Sequence, residues 1–261
     1  MIRQSSRPLI AVPTLGSRPE WLRACLRSLT TQSKRVDVVV IGPSHARGAR
    51  EMANDFGASY ESEQGSGLSA AVNQVWRYAG NEYFGWLGDD DLLTPDSIRL
   101  TFTALAEKRS AVLAYGQCRV IDGQGGTLFF MRPGRLAPWL MQYGADYLPQ
   151  PGTLIRASAV RAAGLLDERL RYAMDLDLFL RLRRQGPFVY LPAELAAFRR
   201  HETSLTVSNP APGMEATQVR SRYLSQTALR LQDVWEPPIE FLGRAWGKLQ
   251  TFDRGGQPWN R

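Results

Sequence analysis

The sequence contains little cysteine and histidine, with two residues of each type among 261. Neither Cys25 nor Cys118 lies in a CxxC motif or close to a histidine, so a disulfide framework is excluded and we expect both thiols to be reduced packing residues. No stretch approaches the roughly 18 uninterrupted apolar residues of a membrane span. Residues 1–8 also lack the apolar core of a signal peptide, so we expect a cytoplasmic protein.

Positive charge exceeds negative charge, with a net charge of +7 and a pI near 9.7. The basic residues are scattered, and no basic block is interleaved with aromatic residues, so nucleic acid is not an expected partner. Such a balance suits an anionic nucleotide ligand or an anionic membrane surface. With 44% hydrophobic residues, the chain can form a sizeable core.

Short apolar strands alternate with amphipathic helices over the first hundred residues. The β-branched run at 36–41 is typical of a strand buried on both faces, and a capping box at 17–20 predicts the start of a helix before it. The other elements predicted in this half are strands at 9–13, 58–61 and 82–87 and helices at 49–56 and 68–79. The alternation predicts an α/β fold, a doubly wound and mostly parallel sheet with helices on both faces.

The second half has a different pattern. Apolar runs at 111–115 and 119–121 precede a turn cluster at 122–126, and residues 127–131 predict a returning antiparallel strand. We therefore expect one unit over residues 1–205, divided into a parallel half at 1–105 and a smaller α+β half at 106–205. Residues 206–261 are expected to form a linker and a helical C-terminal extension, with helices at 219–235 and up to residue 249.

Three aspartates in a row, Asp89, Asp90 and Asp91, directly follow the predicted strand at 82–87. Adjacent like charges are costly unless something positive lies among them. A structural alternative is a turn that caps the next helix with Thr94 as N-cap, but it leaves the three aspartates unexplained. Because open α/β sheets bind ligands at the carboxyl ends of their strands, the triplet indicates a site for a metal ion or a phosphate group.

A second carboxylate cluster, Asp175 and Asp177, lies more than eighty residues later. The two side chains are too close in sequence to share one helical face, so we expect them to have different roles. An aspartate in the first turn of a helix interacts favourably with the helix dipole. For Asp177 this structural role stays open beside a functional one.

Three stretches together resemble the inverting nucleotide-sugar glycosyltransferases of family 2, which have the GT-A fold. Residues 82–95 look like the metal-binding aspartate motif of that family, 151–182 like its acceptor segment with the catalytic aspartate, and 198–205 like its closing Arg-x-His-x-x-Ser. With 12–14 and 67–73, the resemblance covers roughly residues 8–205. Their order and spacing make the combination specific.

The resemblance implies a role for each matching residue. Asp91 would bind Mn²⁺ or Mg²⁺ bridging the phosphates of a nucleoside diphosphate sugar, His201 would reach the metal or a phosphate, and Asp175 would be the general base for the acceptor hydroxyl. Inverting transfer requires both a base and a cation for the leaving diphosphate. The implied donor-binding residues are Pro13, Thr14, Arg18, Ser44, Gly67, Asn73, Asp89 and Asp90, and the implied metal ligands are Asp91, Asp89 and His201.

The sequence defines the donor and the acceptor less closely than the site residues. Residues 41–44 stand where the family usually has an aspartate pair that helps recognise the base, so these residues do not define the nucleobase. The resemblance implies a UDP-sugar first, with dTDP- and GDP-sugars as alternatives. The acceptor would be a carbohydrate or a lipid-linked molecule in cell-surface polysaccharide, glycolipid or glycoconjugate biosynthesis. Its contacts are expected near aromatic residues that could equally belong to the core, namely Trp139, Tyr143, Tyr147 and Tyr172.

Other functions stay open at this stage. The GxGxxA pattern at 65–70 is found in dinucleotide-binding oxidoreductases, but it follows a polar third strand rather than a buried first one. A sugar-phosphate nucleotidyltransferase would need a Gly-rich basic loop where residues 15–19 stand, and a catalytically degenerate binding protein of the same fold is a further alternative. The C-terminal extension is expected first of all to pack against the catalytic domain. It could also form a homodimer, cover the acceptor groove, or contact the inner face of the membrane with Trp235, Phe241 and Trp246.

Overall fold

The protein was analysed as a computed structural model, which describes residues 5–144, 148–201, 211–231, 234 and 237–239. The strands of these residues form one mixed sheet. They are β1 (Leu9–Pro13), β2 (Asp37–Gly42), β3 (Ser59–Ser62), β4 (Tyr83–Trp86), β5 (Leu92–Leu93), β6 (Leu113–Ile121), β7 (Thr127–Met131), β8 (Leu154–Arg156) and β9 (Phe188–Arg199).

The helices lie between and after these strands. They are α1 (Pro19–Thr30), α2 (Arg47–Asp55), α3 (Leu68–Arg77), α4 (Ser97–Glu107), α5 (Ala137–Leu140), α6 (Ala157–Ala163), α7 (Met174–Arg183), α8 (Ala211–Ser221) and α9 (Gln226–Arg230), with a short 3-10 turn at Met141–Tyr143. In the residues that the structure describes, no helix is long and apolar enough to cross a membrane.

The sheet has the order β3-β2-β1-β4-β8-β6-β9-β5, with β7 paired to β6. Its first four strands are parallel to one another, as the strand-helix alternation predicts. Beyond β4 the pairing becomes mixed, because β8 runs antiparallel to both β4 and β6, and β7 returns antiparallel to β6 as expected. The carboxyl ends of β1, β2 and β4 therefore lie along one edge of the sheet.

Apolar side chains cover both faces of this sheet. On one face, Trp76 of α3 stacks on Phe84 of β4 with ring centroids 5.4 Å apart, and the same cluster includes Phe179 of α7. On the other face, the buried side of α1 packs with Leu22 and Leu26 in a second cluster. Residues at helical spacing in α1 and α3 thus bury one stripe each against the sheet, which confirms helices on both faces.

Two of the predicted helix caps are wrong. Helix α1 begins at Pro19, and its N-cap residue is Arg18, which makes no side-chain capping bond. Helix α4 has Asp96 as its N-cap residue, whereas the hydroxyl of Thr94 donates to the carbonyl of Glu194 at 2.8 Å. The contact of Thr94 with β9 therefore outweighs its local preference for capping α4. At α1, the side chain of Arg18 makes long-range contacts in place of a capping bond.

The C-terminal extension also differs from its prediction. Residues 211–213, expected within the linker, belong to α8, and the expected helix from residue 219 is interrupted because α8 ends at Ser221. The hydroxyl of Ser225 then accepts a bond from the amide of Ala228 in α9. Val219 is fully buried, so α8 packs against the rest of the fold. The rest of the linker at 206–210, Tyr147, Trp235, Phe241 and Trp246 lie outside the described residues.

Candidate active site

The aspartate triplet follows two residues after the end of β4, and it lies beside the end of the neighbouring strand β1. Because these parallel strands finish at the same edge, Thr14 after β1 meets Asp89 after β4. The Thr14 hydroxyl donates to Asp89 Oδ2 at 2.5 Å and accepts a bond from the amide of Gly16 at 3.0 Å. Both Thr14 and Asp89 are buried, so this bond fixes the first carboxylate of the triplet.

Arg18 joins the first two aspartates to His201. Its Nη2 donates to Asp89 Oδ1 at 2.7 Å and its Nη1 to Asp90 Oδ2 at 2.9 Å. The Nε2 of His201 lies 2.8 Å from Asp90 Oδ2 and 2.9 Å from Arg18 Nη1. A protonated Nε2 would donate to Asp90, whereas an unprotonated Nε2 would accept from Arg18. Arg18 therefore supplies positive charge to the first two of the adjacent carboxylates.

Asp91 is held from the opposite side by Arg199, at the end of β9. Its Oδ1 accepts a bond from the backbone amide of Arg199 at 2.9 Å, and the Arg199 Nε donates to the carbonyl of Asp90 at 3.0 Å. The ring of Trp21 lies against the guanidinium carbons of Arg18 and Arg199 at 5.3 and 5.2 Å and 4.8 Å from the His201 ring. Arg199 is the arginine of the Arg-x-His-x-x-Ser pattern at 198–205, whereas Trp21 belongs to none of the sequence patterns described above.

Burial dominates the electrostatics of Asp89 and Asp91. It raises the pKa of Asp89, while the bond from Thr14 and the charge of Arg18 act in the opposite direction. Burial and then the charge of Asp90 raise the pKa of Asp91 well above its usual range. Beneath the triplet, burial raises the pKa of the Cys25 thiol, followed by the charge of Asp91. An added positive charge at this place would lower these costs.

Cys25 and Cys118 are both free and buried, which confirms that they are reduced packing residues. The Cys25 thiol donates to the carbonyl of Gly88 at 3.4 Å, so it packs beneath the turn that carries the triplet.

The donor set suits a hard divalent cation, since it offers carboxylate oxygens and one imidazole. Within the described residues, no group of three or more His, Cys, Asp and Glu side chains is already arranged to hold a metal ion. A Cβ atom on Gly88 would lie 2.7 Å from Asp90 Oδ1 and 3.1 Å from Asp91 Oδ2, so the glycine leaves room where these oxygens converge. Both oxygens of Asp89 are engaged by Thr14 and Arg18.

Asp175 lies in the first turn of α7, partly exposed. Its Oδ1 accepts a bond from the amide of Leu176 at 2.8 Å. One turn later, Phe179 lies 6.4 Å from Trp86, the last residue of β4. Residues four apart share a helical face, so Asp175 lies on the face that α7 turns toward the strand carrying the triplet.

Asp177 has a structural environment. It is buried and pairs with Arg181 at 2.6 Å, and its Oδ1 accepts a bond from the hydroxyl of Tyr223 at 2.8 Å. Asp177 thus ties α7 to the segment after α8, which fits the structural role left open for it.

A carboxylate from α8 holds the backbone that leads into α7, and we call this contact the cap on α7. The Oε1 of Glu215 accepts bonds from the backbone amides of Arg171, Tyr172 and Ala173 at 2.9, 2.9 and 3.0 Å. These amides precede α7, whose N-cap residue Ala173 has no side chain able to cap it. Glu215 was not singled out in the sequence, because no local pattern links it to residues more than forty positions earlier.

The remaining expected donor-binding residues are more widely placed. Pro13 ends β1 beside Thr14, and Ser44 is exposed after β2 at the same sheet edge. Gly67 is exposed at the start of α3, which follows the outermost strand β3. Asn73 is buried in α3, where its amide exchanges bonds with the backbone of Leu166 at 2.9 and 3.0 Å. The structure therefore brings together Thr14, Arg18, the triplet and His201, whereas Asn73 holds the loop before α7.

The family model described as "Glycosyl transferase family 2" matches residues 9–159 of the chain. This match includes the triplet and ends before Asp175 and His201. An uncharacterized glycosyltransferase of Rickettsia typhi, RT0329, is 24% identical over 196 residues, which cover 71% of this chain and 62% of the relative. The O-antigen biosynthesis protein RfbC of Myxococcus xanthus is 26% identical over 240 residues, covering 87% of this chain and 18% of the relative. The chain thus spans less than two thirds of either relative.

Solved structures share the fold at low sequence identity. S. aureus TarS 1-349 in complex with UDP-GlcNAc superposes with a TM-score of 0.66 and 14% identity, covering 92% of this chain and 73% of that one. The mannosyltransferase PcManGT from Pyrobaculum calidifontis in complex with GDP-Man and Mn²⁺ gives a TM-score of 0.58 and 14% identity, with coverages of 94% and 84%. These likenesses confirm the predicted GT-A fold. Because the family model matches more than half of its residues, the chain belongs to glycosyl transferase family 2.

Proposed function

We propose that the protein transfers a sugar from a nucleoside diphosphate sugar to an acceptor hydroxyl with inversion at the anomeric carbon. The observation that carries this proposal is the convergence of Thr14, Arg18, Asp89, Asp90 and His201 at the carboxyl ends of β1 and β4. Ligands of open α/β sheets bind at this edge. The family match, which includes the triplet, supports the same assignment.

The donor half would bind the nucleotide and its diphosphate. Arg18, whose guanidinium is already at the triplet, can donate to phosphate oxygens, and a guanidinium is well suited to bidentate contact with them. Asp91, Asp89 and His201 are the proposed ligands of Mn²⁺ or Mg²⁺, with Asp89 giving up one of its present bonds. When bound, the cation would stabilise the charge that develops on the leaving diphosphate.

The acceptor half would supply the base. Asp175 is partly exposed at the start of α7, where a carboxylate can take the proton of an acceptor hydroxyl as that hydroxyl attacks the anomeric carbon. Asp177 is fully engaged with Arg181 and Tyr223, so it is the poorer candidate. The cap that Glu215 places before α7 would hold Asp175 in position.

The relatives support a proposal for the donor and the biological role. TarS is complexed with UDP-GlcNAc, and PcManGT with GDP-Man and Mn²⁺. We assign a UDP-sugar as the first donor to test, with GDP- and dTDP-sugars next. The acceptor is proposed to be a carbohydrate or lipid-linked molecule in polysaccharide or glycoconjugate biosynthesis, in line with the name of the Myxococcus relative.

A two-stage experiment tests the proposal. The purified protein is first screened for thermal stabilisation by UDP-, GDP- and dTDP-sugars with Mn²⁺, because stabilisation grows with ligand occupancy. The stabilising donor is then incubated with candidate oligosaccharide acceptors, and the product is examined by proton NMR for its anomeric configuration. An inverted linkage that forms with Mn²⁺ and not with a chelator is expected. Donor binding without transfer to any acceptor would favour the degenerate binding protein, and a retained configuration would refute inversion.

A further inference from the structure

The chain segment around α5 and the C-terminal end of α7 form a surface with exposed apolar and basic side chains. We call it the docking face and define it by Arg135, Leu136, Trp139, Arg183 and Arg184. The side chains of Leu136 and Trp139 are 71% and 57% exposed. A leucine and a tryptophan exposed side by side lose the favourable free energy of burial unless another surface covers them.

The outward direction of these apolar side chains is fixed by the packing beneath them. Ala137 and Met141, which flank Trp139 in sequence, are fully buried, so the short helix turns one side to the core and Trp139 away from it. The loop before it is held by the Tyr115 hydroxyl, which donates to the carbonyl of Gly134 at 2.7 Å. The exposure of Trp139 therefore belongs to a well-anchored segment.

A cavity of about 180 Å³ lies at the C-terminal end of α7, next to α5. Arg183 connects the cavity with α5, because its Nη1 donates to the carbonyl of Pro138 at 3.0 Å and to Gln142 Oε1 at 3.1 Å. Its guanidinium carbon also lies 5.9 Å from the Trp139 ring. The cavity is lined by Gln142, Leu180, Arg183, Arg184 and Tyr223. It thus combines two cationic side chains with an amide and a phenol ring.

We propose that the docking face binds an anionic lipid surface. Leu136 and Trp139 would enter the boundary between headgroups and acyl chains, a level at which tryptophan is enriched. Arg183 and Arg184 would bind a lipid phosphate in the cavity, and Arg135 would add to the attraction. The net charge of +7 favours approach to such a surface. A symmetric dimer through this face would instead place the same arginines opposite each other, where like charges repel.

Docking would orient the candidate active site. Asp175 and Arg183 lie eight residues apart on α7, which corresponds to about 12 Å along the helix axis. A docked protein would therefore hold its candidate base close to the membrane surface, which suits a lipid-linked acceptor. The link to the acceptor rests on the proposed function, whereas the docking does not and is tested without any activity measurement.

The test is sedimentation of the full chain with lipid vesicles. Vesicles of phosphatidylcholine alone are compared with vesicles that also contain phosphatidylglycerol. We expect binding to the anionic vesicles only, and we expect it to weaken as the salt concentration rises, because the attraction of exposed charges is screened.

Matched variants locate the binding surface. Trp139→Ser should weaken binding about tenfold through lost apolar burial, and Arg184→Glu about fivefold or more through lost attraction to the lipid. Tyr78→Ser and Arg23→Glu are the controls, because Tyr78 is 76% exposed, Arg23 is exposed on α1, and both lie outside the docking face. Both controls should bind like the wild type. Thermal melting of each variant checks that it is folded.

Three results would overturn the proposal. The first is a wild-type protein that stays in solution with anionic vesicles at low salt. The second is an equal loss of binding in the docking-face variants and their controls, which would place the lipid contact elsewhere. The third is a change in molar mass by light scattering when Trp139 alone is replaced, because that would make the face a contact between copies of the chain.

Discussion

The carboxylates of the donor half and of the acceptor half are held by different kinds of contact. Asp89 and Asp90 are fixed by side chains from distant parts of the chain, namely Thr14, Arg18 and His201. Asp175 sits in a helix turn whose preceding backbone amides are held by Glu215. In the donor half, charged and polar side chains bind the carboxylates directly. In the acceptor half, the contacts hold the backbone that carries the carboxylate.

This difference matches the two chemical tasks proposed for them. A diphosphate and its cation need charge placed before they arrive, because preorganised charge does not have to be rearranged during the reaction. A general base needs an accessible carboxylate in a fixed place. Disrupting the first half should therefore affect donor binding, and disrupting the second should affect the chemical step.

The largest expected effect is on the chemical step. Asp175→Asn should lower the transfer rate by about 10²–10⁴-fold, because an amide cannot accept the acceptor proton. Donor affinity, measured by calorimetry, should stay close to that of the wild type. Asp55→Asn serves as the control, since Asp55 is exposed at the end of α2. An equal loss of rate and donor affinity would contradict the role of Asp175 as base.

Replacing Arg18 should mainly lower the donor affinity, whereas replacing Asp175 mainly lowers the transfer rate. Arg18→Ala removes the guanidinium from Asp89 and Asp90, leaving adjacent carboxylates to face the donor phosphates. Donor binding should weaken about 10- to 100-fold, the range for a hydrogen bond between charged groups. The control Arg23→Ala changes an exposed arginine of the same helix. Unchanged donor affinity in calorimetry would remove Arg18 from the donor site.

Asp89 and Asp90 are paired with Arg18, whereas Asp91 is buried without such a pair in the part of the chain that the structure describes. The charge of Asp91 is therefore expected to lower the free energy of unfolding. Asp91→Asn should raise the free energy of unfolding of the metal-free protein by roughly 1–3 kcal/mol near pH 8. Burial raises the folded pKa of Asp91. The folded state therefore favours the protonated form of Asp91. The stability that this form contributes is fully present below the unfolded pKa near 4, and it is lost as the pH rises through the folded pKa.

An asparagine does not titrate, yet it can still accept the bond from the Arg199 amide. The gain should therefore be small near pH 4 and larger near pH 8. Urea unfolding at the two pH values measures it, with Asp55→Asn as a control that should show no such trend. A variant less stable than the wild type at pH 8 would mean that the carboxylate charge is already compensated.

The smallest expected effect concerns the cap on α7. Glu215→Ala should lower the free energy of unfolding by about 1–2 kcal/mol, because three amides lose their acceptor. Glu215→Gln keeps an oxygen acceptor and should lose less. The control Glu107→Ala changes an exposed glutamate at the end of α4. Equal stability of Glu215→Ala and the wild type in urea would show that water replaces the cap.

The donor half of the fold was largely predictable because its signals are local. The β-branched run that became β2 and the periodic apolar residues of α3 each fix an element without outside help. β9 was not predicted as one strand, because Pro192 and the alanines after it interrupt the strand signal of its first residues, Phe188 to Leu191, and its pairing with β6 decides the conformation of the rest. The same tertiary control explains why Thr94 does not cap α4.

The candidate site was predictable only in part. The resemblance brought the triplet and His201 together across more than a hundred residues, and the structure places them in contact. Arg199 is the arginine of the Arg-x-His-x-x-Ser pattern, but the pattern alone does not show that its backbone amide binds Asp91. Trp21 and Glu215 act through a ring face and on backbone amides, so no sequence spacing indicates them. Asn73 stays an untested prediction for donor binding, and its buried amide bonds to the backbone of Leu166.

The cap on α7 has a consequence for the order in which the chain matures during synthesis. Glu215 emerges from the ribosome more than thirty residues after the last residue of α7, so the contact that holds the start of this helix forms late. The parallel part of the sheet can form before Glu215 is synthesised. A chain stopped at residue 205 would contain every candidate catalytic residue. It would also lack the carboxylate that completes the helix carrying the base.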